Sequence, residues 1–214
     1  MQIAILLFGR FTALDAVGPY EILCRTPGAE TVFVAERTGP VVNDRGGLSL
    51  VAGKSLAEVT APDIVVVPGG PGQSDQMDNE AVLGWLRAVD TTTRWTTSVC
   101  TGSLLLGAAG LLAGRRATSH WLALEQLRRF GAQPTGERVV TDGKYVTAAG
   151  VSSGIDMALT LLGRLAGERV AQSVQLVTEY DPRPPYDAGS PDTAPADLVR
   201  ELRAKSRHTV KESS

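Results

Sequence analysis

The chain has little cysteine and little histidine: two of each among 214 residues, Cys24 and Cys100, His120 and His208. Two isolated cysteines in unlike contexts make no disulfide framework, so a reducing cytoplasm is the expected home. No His/Cys/Asp cluster has ligand spacing, so no metal is expected. Neither sign of charge dominates. Lys and Arg number 21 against 23 Asp and Glu, a net −2, which gives no reason to expect nucleic acid as a partner. No run approaches the roughly 18 apolar residues of a membrane span, so no membrane association is expected. The opening MQIAILLFGRF has no basic residue before its apolar run and no small-residue cleavage site after it, so it reads as a first strand and not a signal peptide. What remains is ordinary for a soluble protein, at 43% hydrophobic and 21% charged residues, and the length suits one α/β domain.

Short β-branched or aliphatic runs alternate with helical patterns. Strands are expected at Gln2–Phe8, Thr31–Glu36, Leu48–Ala52, Asp63–Pro68, Trp95–Val99, Val139–Thr141 and Tyr145–Ala148. Helices are expected at Asp15–Arg25, Glu80–Asp90, Thr101–Leu112, Trp121–Phe130, Ser152–Leu165 and Glu168–Tyr180. This alternation predicts a mostly parallel sheet with helices on both faces. IAILLF and IVVVP are apolar throughout, as strands covered on both sides must be. Asp142-Gly143 between two strand-like runs signals a hairpin. From Asp181 the chain turns to DPRPPYDAGSPDTAP, which is neither helix nor central strand. The domain therefore reads as 1–180. Residues 181–214 form a Pro-rich segment, a short helix at Ala196–Ala204 and a polar tail holding His208. The segment reads either as a linker or as an ordered arm packed on the body.

Three segments leave the carboxyl ends of strands with unusual chemistry: LDAVGPYE with Asp15, PGGPG at Pro68–Gly72, and SVCTG at Ser98–Gly102. In a parallel sheet all three lie on the rim where ligands collect. SVCTG has the shape of a nucleophile elbow, with small residues two before and two after the cysteine. There the helix N-terminus is expected to lower the Cys100 thiol pKa. The alternative is a buried cysteine that only fills a turn, which is also the reading for Cys24 in YEILCR. PGGPG brings backbone close to something. It either aims the Gly70 N–H at a reacting atom, with the Thr101 N–H as second donor, or is a plain turn. No Lys-Ser or Lys-Thr follows it, so it is not a phosphate loop. His120 in ATSHW is either a base for Cys100 or a residue that caps the next helix or packs against Trp121.

These residues resemble the ThiJ/PfpI superfamily, with its class I glutamine amidotransferase-like fold. Within it they are most similar to the isonitrile hydratase (isocyanide hydratase) branch. The similarity runs through LDAVGPYE, VPGGPG, TSVCTGSLLLGAAGLLAGRRATSHW, GIDMALTL and QLVTEYDPRPPYDAGSPDTAP, nearly the whole chain. The elbow and PGG are common to the superfamily. Asp15 in L-D-x-x-G-P, SVCTG and the Pro-rich segment are more particular to the branch. The resemblance implies a flavodoxin-like three-layer sandwich and a homodimer. It implies Cys100 as nucleophile, Asp15 as acid and base, and Thr101 in the pocket. Val151, in the stretch GVSSGID at Gly150–Asp156, would line that pocket too. The substrate implied is a small isonitrile, hydrated through a Cys100 thioimidate to an N-substituted formamide with no cofactor. Related members place a Glu beside the cysteine and recruit a histidine. Here Glu21 is the nearby Glu, and it does not hold the Asp15 position. A histidine-assisted cysteine hydrolase, a glyoxalase or deglycase, and a non-catalytic redox sensor akin to the amidotransferase-like domain of AraC-type regulators are the competing readings.

Overall fold

A computed structural model describes residues 1–206 of the chain. The elements run β1 (Gln2–Leu6), α1 (Ala13–Leu23), β2 (Glu30–Ala35), β3 (Gly39–Val42), β4 (Ser49–Ala52), β5 (Lys54–Ser55), β6 (Ile64–Val67), α2 (Gln73–Gln76), α3 (Glu80–Asp90), β7 (Trp95–Val99), α4 (Gly102–Ala108), β8 (Arg116–Ala117), β9 (Gln133–Pro134), β10 (Val139–Asp142), β11 (Tyr145–Ala148), α5 (Ser153–Ala166), α6 (Glu168–Val177) and α7 (Ala196–Ala204). Seven strands form the main sheet, in the order β10-β11-β7-β6-β1-β2-β5. Every neighbouring pair in it is parallel except the β10–β11 hairpin. Strand order reverses between β1 and β6, which opens a crevice at their carboxyl ends. Helices α1 and α5 pack together, with α6 on α5, while α3 packs on α4. All four side chains of β6 are fully buried, as a strand covered on both faces requires. The architecture is the flavodoxin-like three-layer sandwich.

Several elements depart from the sequence reading. The run at 48–52 becomes β4, which pairs antiparallel with β3 in a separate hairpin. Val51 there is 65% exposed, so the run lacks the burial of a central strand. The expected helix over 121–130 is a turn followed by a 3₁₀ helix, Leu124–Phe130. The Phe130 ring lies against Gly107, and Gly131, in the left-handed region at φ 72°, stops the segment. The helix after Cys100 ends at Ala108, just before the left-handed Gly110. Beyond α6, residues 181–189 are exposed. One tie back to the body is the Arg203 guanidinium of α7, 5.7 Å from the centre of the Trp121 ring. His208 lies outside the described residues.

Candidate active site

The chain turns sharply from β7 into α4, and Cys100 sits at the turn with φ 58°. A non-glycine residue in that region costs about 1–3 kcal/mol and persists only where its surroundings hold it. Here four hydrogen bonds do so. The Cys100 N–H donates to the carbonyls of Ala148 (3.1 Å) and Ala149 (2.8 Å). Its carbonyl accepts from the Ser103 hydroxyl at 3.2 Å and the Ser119 hydroxyl at 3.1 Å. Gly102 is required because a Cβ there would run into the Val67 carbonyl. The small residue two after Cys100 therefore has the physical cause that the elbow pattern supposes.

Asp15 reaches the same place from the first turn of α1. It is fully buried. Its Oδ2 accepts the Gly69 N–H at 2.9 Å. Its Oδ1 is buried with no hydrogen-bond partner among the described residues, although the neighbouring thiol acts on its charge. Buried polar atoms are nearly always satisfied, so this one needs an explanation. The next amide, Gly70, donates to Thr101 Oγ1 at 3.0 Å. The Gly70 N–H, expected to face a reacting atom, is thus taken up by a side chain. Gly70 has φ 129°, and a Cβ on it would stand 2.5 Å from the Thr12 nitrogen, so only glycine lets the two loops meet.

Burial raises the Asp15 carboxyl to about 7, and the charge of Asp44 adds to the rise. The Gly69 N–H and the Cys100 thiol pull it partly back. Burial also pushes the Cys100 thiol up, and Asp15 adds to that. The Thr101 N–H and hydroxyl favour the thiolate, but they lose. The expectation that the helix N-terminus lowers this thiol pKa is therefore overturned. A helix of seven residues offers a weak dipole, and a 2% exposed sulfur beside a carboxyl pays a larger desolvation cost. Two acidic groups in contact, one lowered and the other raised by its neighbour, titrate as a pair and share a proton.

The shifts of the thiol come from burial, Asp15 and Thr101. The His120 Nδ1 accepts the Leu122 N–H at 3.3 Å in the turn before the 3₁₀ helix, whose N-cap is Ala123 and not His120, and its ring lies beside Trp121, as the packing reading supposed. Val151 is part-buried on the turn that leads into α5, two residues after Ala149, whose carbonyl with that of Ala148 holds Cys100. Cys24 caps α1, its thiol on the Glu21 carbonyl at 3.7 Å, and Glu21 pairs with Arg25 away from the site. Three contributors were missed from sequence. Ser103 and Ser119 carry no mark beyond being small and polar, and Asp44 sits in an ordinary-looking hairpin tip, NDRGG.

The sequence pattern of the DJ-1/PfpI family matches residues 1–164. The chain is 44% identical to the isonitrile hydratase of Pseudomonas putida, over 99% of this chain and 92% of that one. It is 33% identical to the HTH-type transcriptional regulator CdhR of Pseudomonas aeruginosa, over 64% of this chain but 40% of the regulator. Among solved structures, a ThiJ/PfpI family protein from Pseudomonas syringae superposes with a TM-score of 0.93 at 38% identity, covering 95% of this chain and 85% of that one.

Proposed function

The chain belongs to the DJ-1/PfpI family, and from that premise we propose that it is an isonitrile hydratase-type enzyme in which Cys100 and Asp15 carry the reaction. The single observation behind the residue assignment is the buried Asp15 carboxyl in hydrogen-bond contact with the Cys100 thiol. A carboxyl so placed hands a proton to a substrate and takes one from water.

The active form holds one proton between sulfur and carboxyl. The sulfur attacks the terminal carbon of R–N≡C as the shared proton passes through Asp15 to that carbon. This gives the thioimidate R–N=CH–S and leaves Asp15 ionised. Asp15 then takes a proton from water while the hydroxyl adds to the thioimidate carbon. Asp15 passes that proton to the nitrogen and takes the hydroxyl proton as the carbon–sulfur bond breaks, so R–NH–CHO leaves with the thiolate and the protonated carboxyl restored. Acid–base help of this kind contributes about 10²–10⁴-fold. Thr101 orients the sulfur, and Gly69 fixes the carboxyl through Oδ2. Gly70 sets the Thr101 hydroxyl, and Val151 bounds the space the substituent R occupies.

The chain acts as a homodimer in the cytoplasm, with residues 181–204 laid against a second copy. Leu176 and Val177 at the end of α6 are 77% and 74% exposed, Tyr186 is 79% exposed, and no residue of α7 is buried. Surfaces of that kind want a partner. Both cysteines are free, which fits a reducing compartment. A panel of alkyl and aryl isonitriles, followed by formamide formation, tests the activity. Turnover of none of them would refute it. Light scattering at two concentrations tests the dimer.

A further inference from the structure

A third carboxylate acts on the acid of the pair. Asp44 lies at the tip of the β3–β4 hairpin, which is tied to the rim. The Asp44 N–H donates to the Phe11 carbonyl at 2.9 Å, and Asn43 bridges Phe11. The Asp44 side chain is 17% exposed, and its Oδ2 lies 3.5 Å from the Thr12 hydroxyl. Thr12 is the N-cap of α1, yet its side chain does not cap the helix. A threonine there ordinarily turns its oxygen to the N–H groups of the first turn. Instead the hydroxyl faces Asp44, while the Thr12 carbonyl accepts the Asp15 N–H at 3.1 Å. The Thr12 N–H in turn donates to the Gly69 carbonyl at 2.9 Å, and Gly69 holds Asp15. One short run of backbone thus links Asp44, Asp15 and the glycine loop.

We propose that Asp44 is a positioning residue of this site: set on Thr12 at the start of α1, its negative charge holds the shared proton on the Cys100–Asp15 pair. The inference rests on the reading of Cys100 and Asp15 as the reacting pair. A like charge nearby disfavours ionisation of the groups it faces, and that is the direction in which Asp44 acts on Asp15. The other charged groups around α1 are engaged elsewhere. Arg10 pairs with Asp75, and Glu21 with Arg25. Asp156 of α5 is held by Arg138 and Tyr180. Arg45 comes within 3.9 Å of Asp44, but it is 88% exposed and screens it weakly. From the hairpin and the turn after β7, then, Asp44 and Cys100 are the titratable groups that act on Asp15.

The test is Asp44→Asn, with Asp44→Glu as the conservative variant. Because the active form has lost the first proton of the pair, kcat/KM of the parent rises with pH through about 7. In Asp44→Asn that rise moves down by about half to one pH unit, so at pH 6 the variant keeps several-fold more of its own plateau than the parent does. Asp44→Glu restores the parent profile, which a loss of hairpin structure would not. A second readout needs no turnover: the infrared carboxyl band against pH, taken as the difference from Asp15→Asn, which follows the group that Asp44 acts on. That titration also shifts down in Asp44→Asn. If neither curve moves, or if Asp44→Glu behaves as Asn does, the proposal is overturned. If no isonitrile is hydrated but the Asp15 carboxyl titration shifts, the functional reading fails and the role of Asp44 stands.

Discussion

The same sheet buries a carboxylate at each end, and the two are treated in opposite ways. At the amino end Asp90 accepts from the Thr96 hydroxyl at 2.6 Å and the Tyr145 hydroxyl at 2.9 Å, with the Lys144 ammonium at 3.2 Å. Both of its oxygens are occupied. Burial, then Asp90, pushes the Tyr145 phenol up to about 12, so it stays a donor. At the carboxyl end Asp15 has one N–H and one bare oxygen. A satisfied buried carboxylate stitches strands together; an unsatisfied one is held in reserve for a proton or a substrate. In the proposed mechanism the site uses the second, and that use is what the cost of leaving it unsatisfied serves.

Substitutions can break that contrast, and the largest effect is at the sulfur. Cys100→Ser should abolish isonitrile turnover with circular dichroism unchanged, because a serine hydroxyl at this position lacks the thiol's nucleophilicity. Cys24→Ser should leave turnover as it was. Exposure runs against a simple labelling assay here, since Cys24 is partly exposed and Cys100 is buried, so activity is the readout.

Asp15→Asn comes next. It can still hydrogen-bond but cannot pass a proton, so kcat/KM should fall by about 10²–10⁴-fold. The same variant sharpens the comparison through stability. With a folded value of about 7 against an unfolded one near 4, native Asp15 holds its proton more tightly than the unfolded chain does. Its contribution is therefore fully present below about pH 4 and is lost as pH rises through about 7, a swing of roughly 4 kcal/mol. Denaturation of the two proteins should show Asp15→Asn gaining on the parent across that window. Parallel stability curves would mean that the carboxyl is not held protonated.

Asp90→Ala should do the reverse. It leaves the Thr96 and Tyr145 hydroxyls without their acceptor, costing about 1–3 kcal/mol of stability, while kcat/KM stays within about twofold, a bound set by the usual smallness of remote effects. The smallest effect is expected at His120. His120→Ala removes a turn hydrogen bond and a ring contact, so kcat/KM should change only a few-fold. A large loss there with little at Asp15 would favour a cysteine–histidine hydrolase.

Much of the site was legible because it depends on topology. Uninterrupted apolar runs gave away β1 and β6, and a parallel sheet then put Asp15, PGGPG and Cys100 on one rim. What was hidden depends on contacts between distant segments. The direction of the thiol shift followed from burial and from Asp15, whereas the sequence offered only the local helix end. The helix expected at 121–130 yielded to Phe130 packing on Gly107. Asp44 was invisible because a hairpin tip shows nothing of where it lands. The edge strand β5, two residues long, is too short for any periodicity.

The carbonyls that hold Cys100 have a consequence for how the protein is made. They belong to Ala148 and Ala149, at the end of β11, a strand that joins the sheet beside β7. On the ribosome the cysteine, the acid and the glycine loop all emerge well before them. Until β11 is synthesised and docks, two of the four hydrogen bonds that hold the left-handed turn are missing, and so is the strand that covers the thiol from that side. The nascent chain thus carries every reactive group before it carries the reactivity, and its most oxidisable interval falls between the synthesis of Cys100 and that of Ala149.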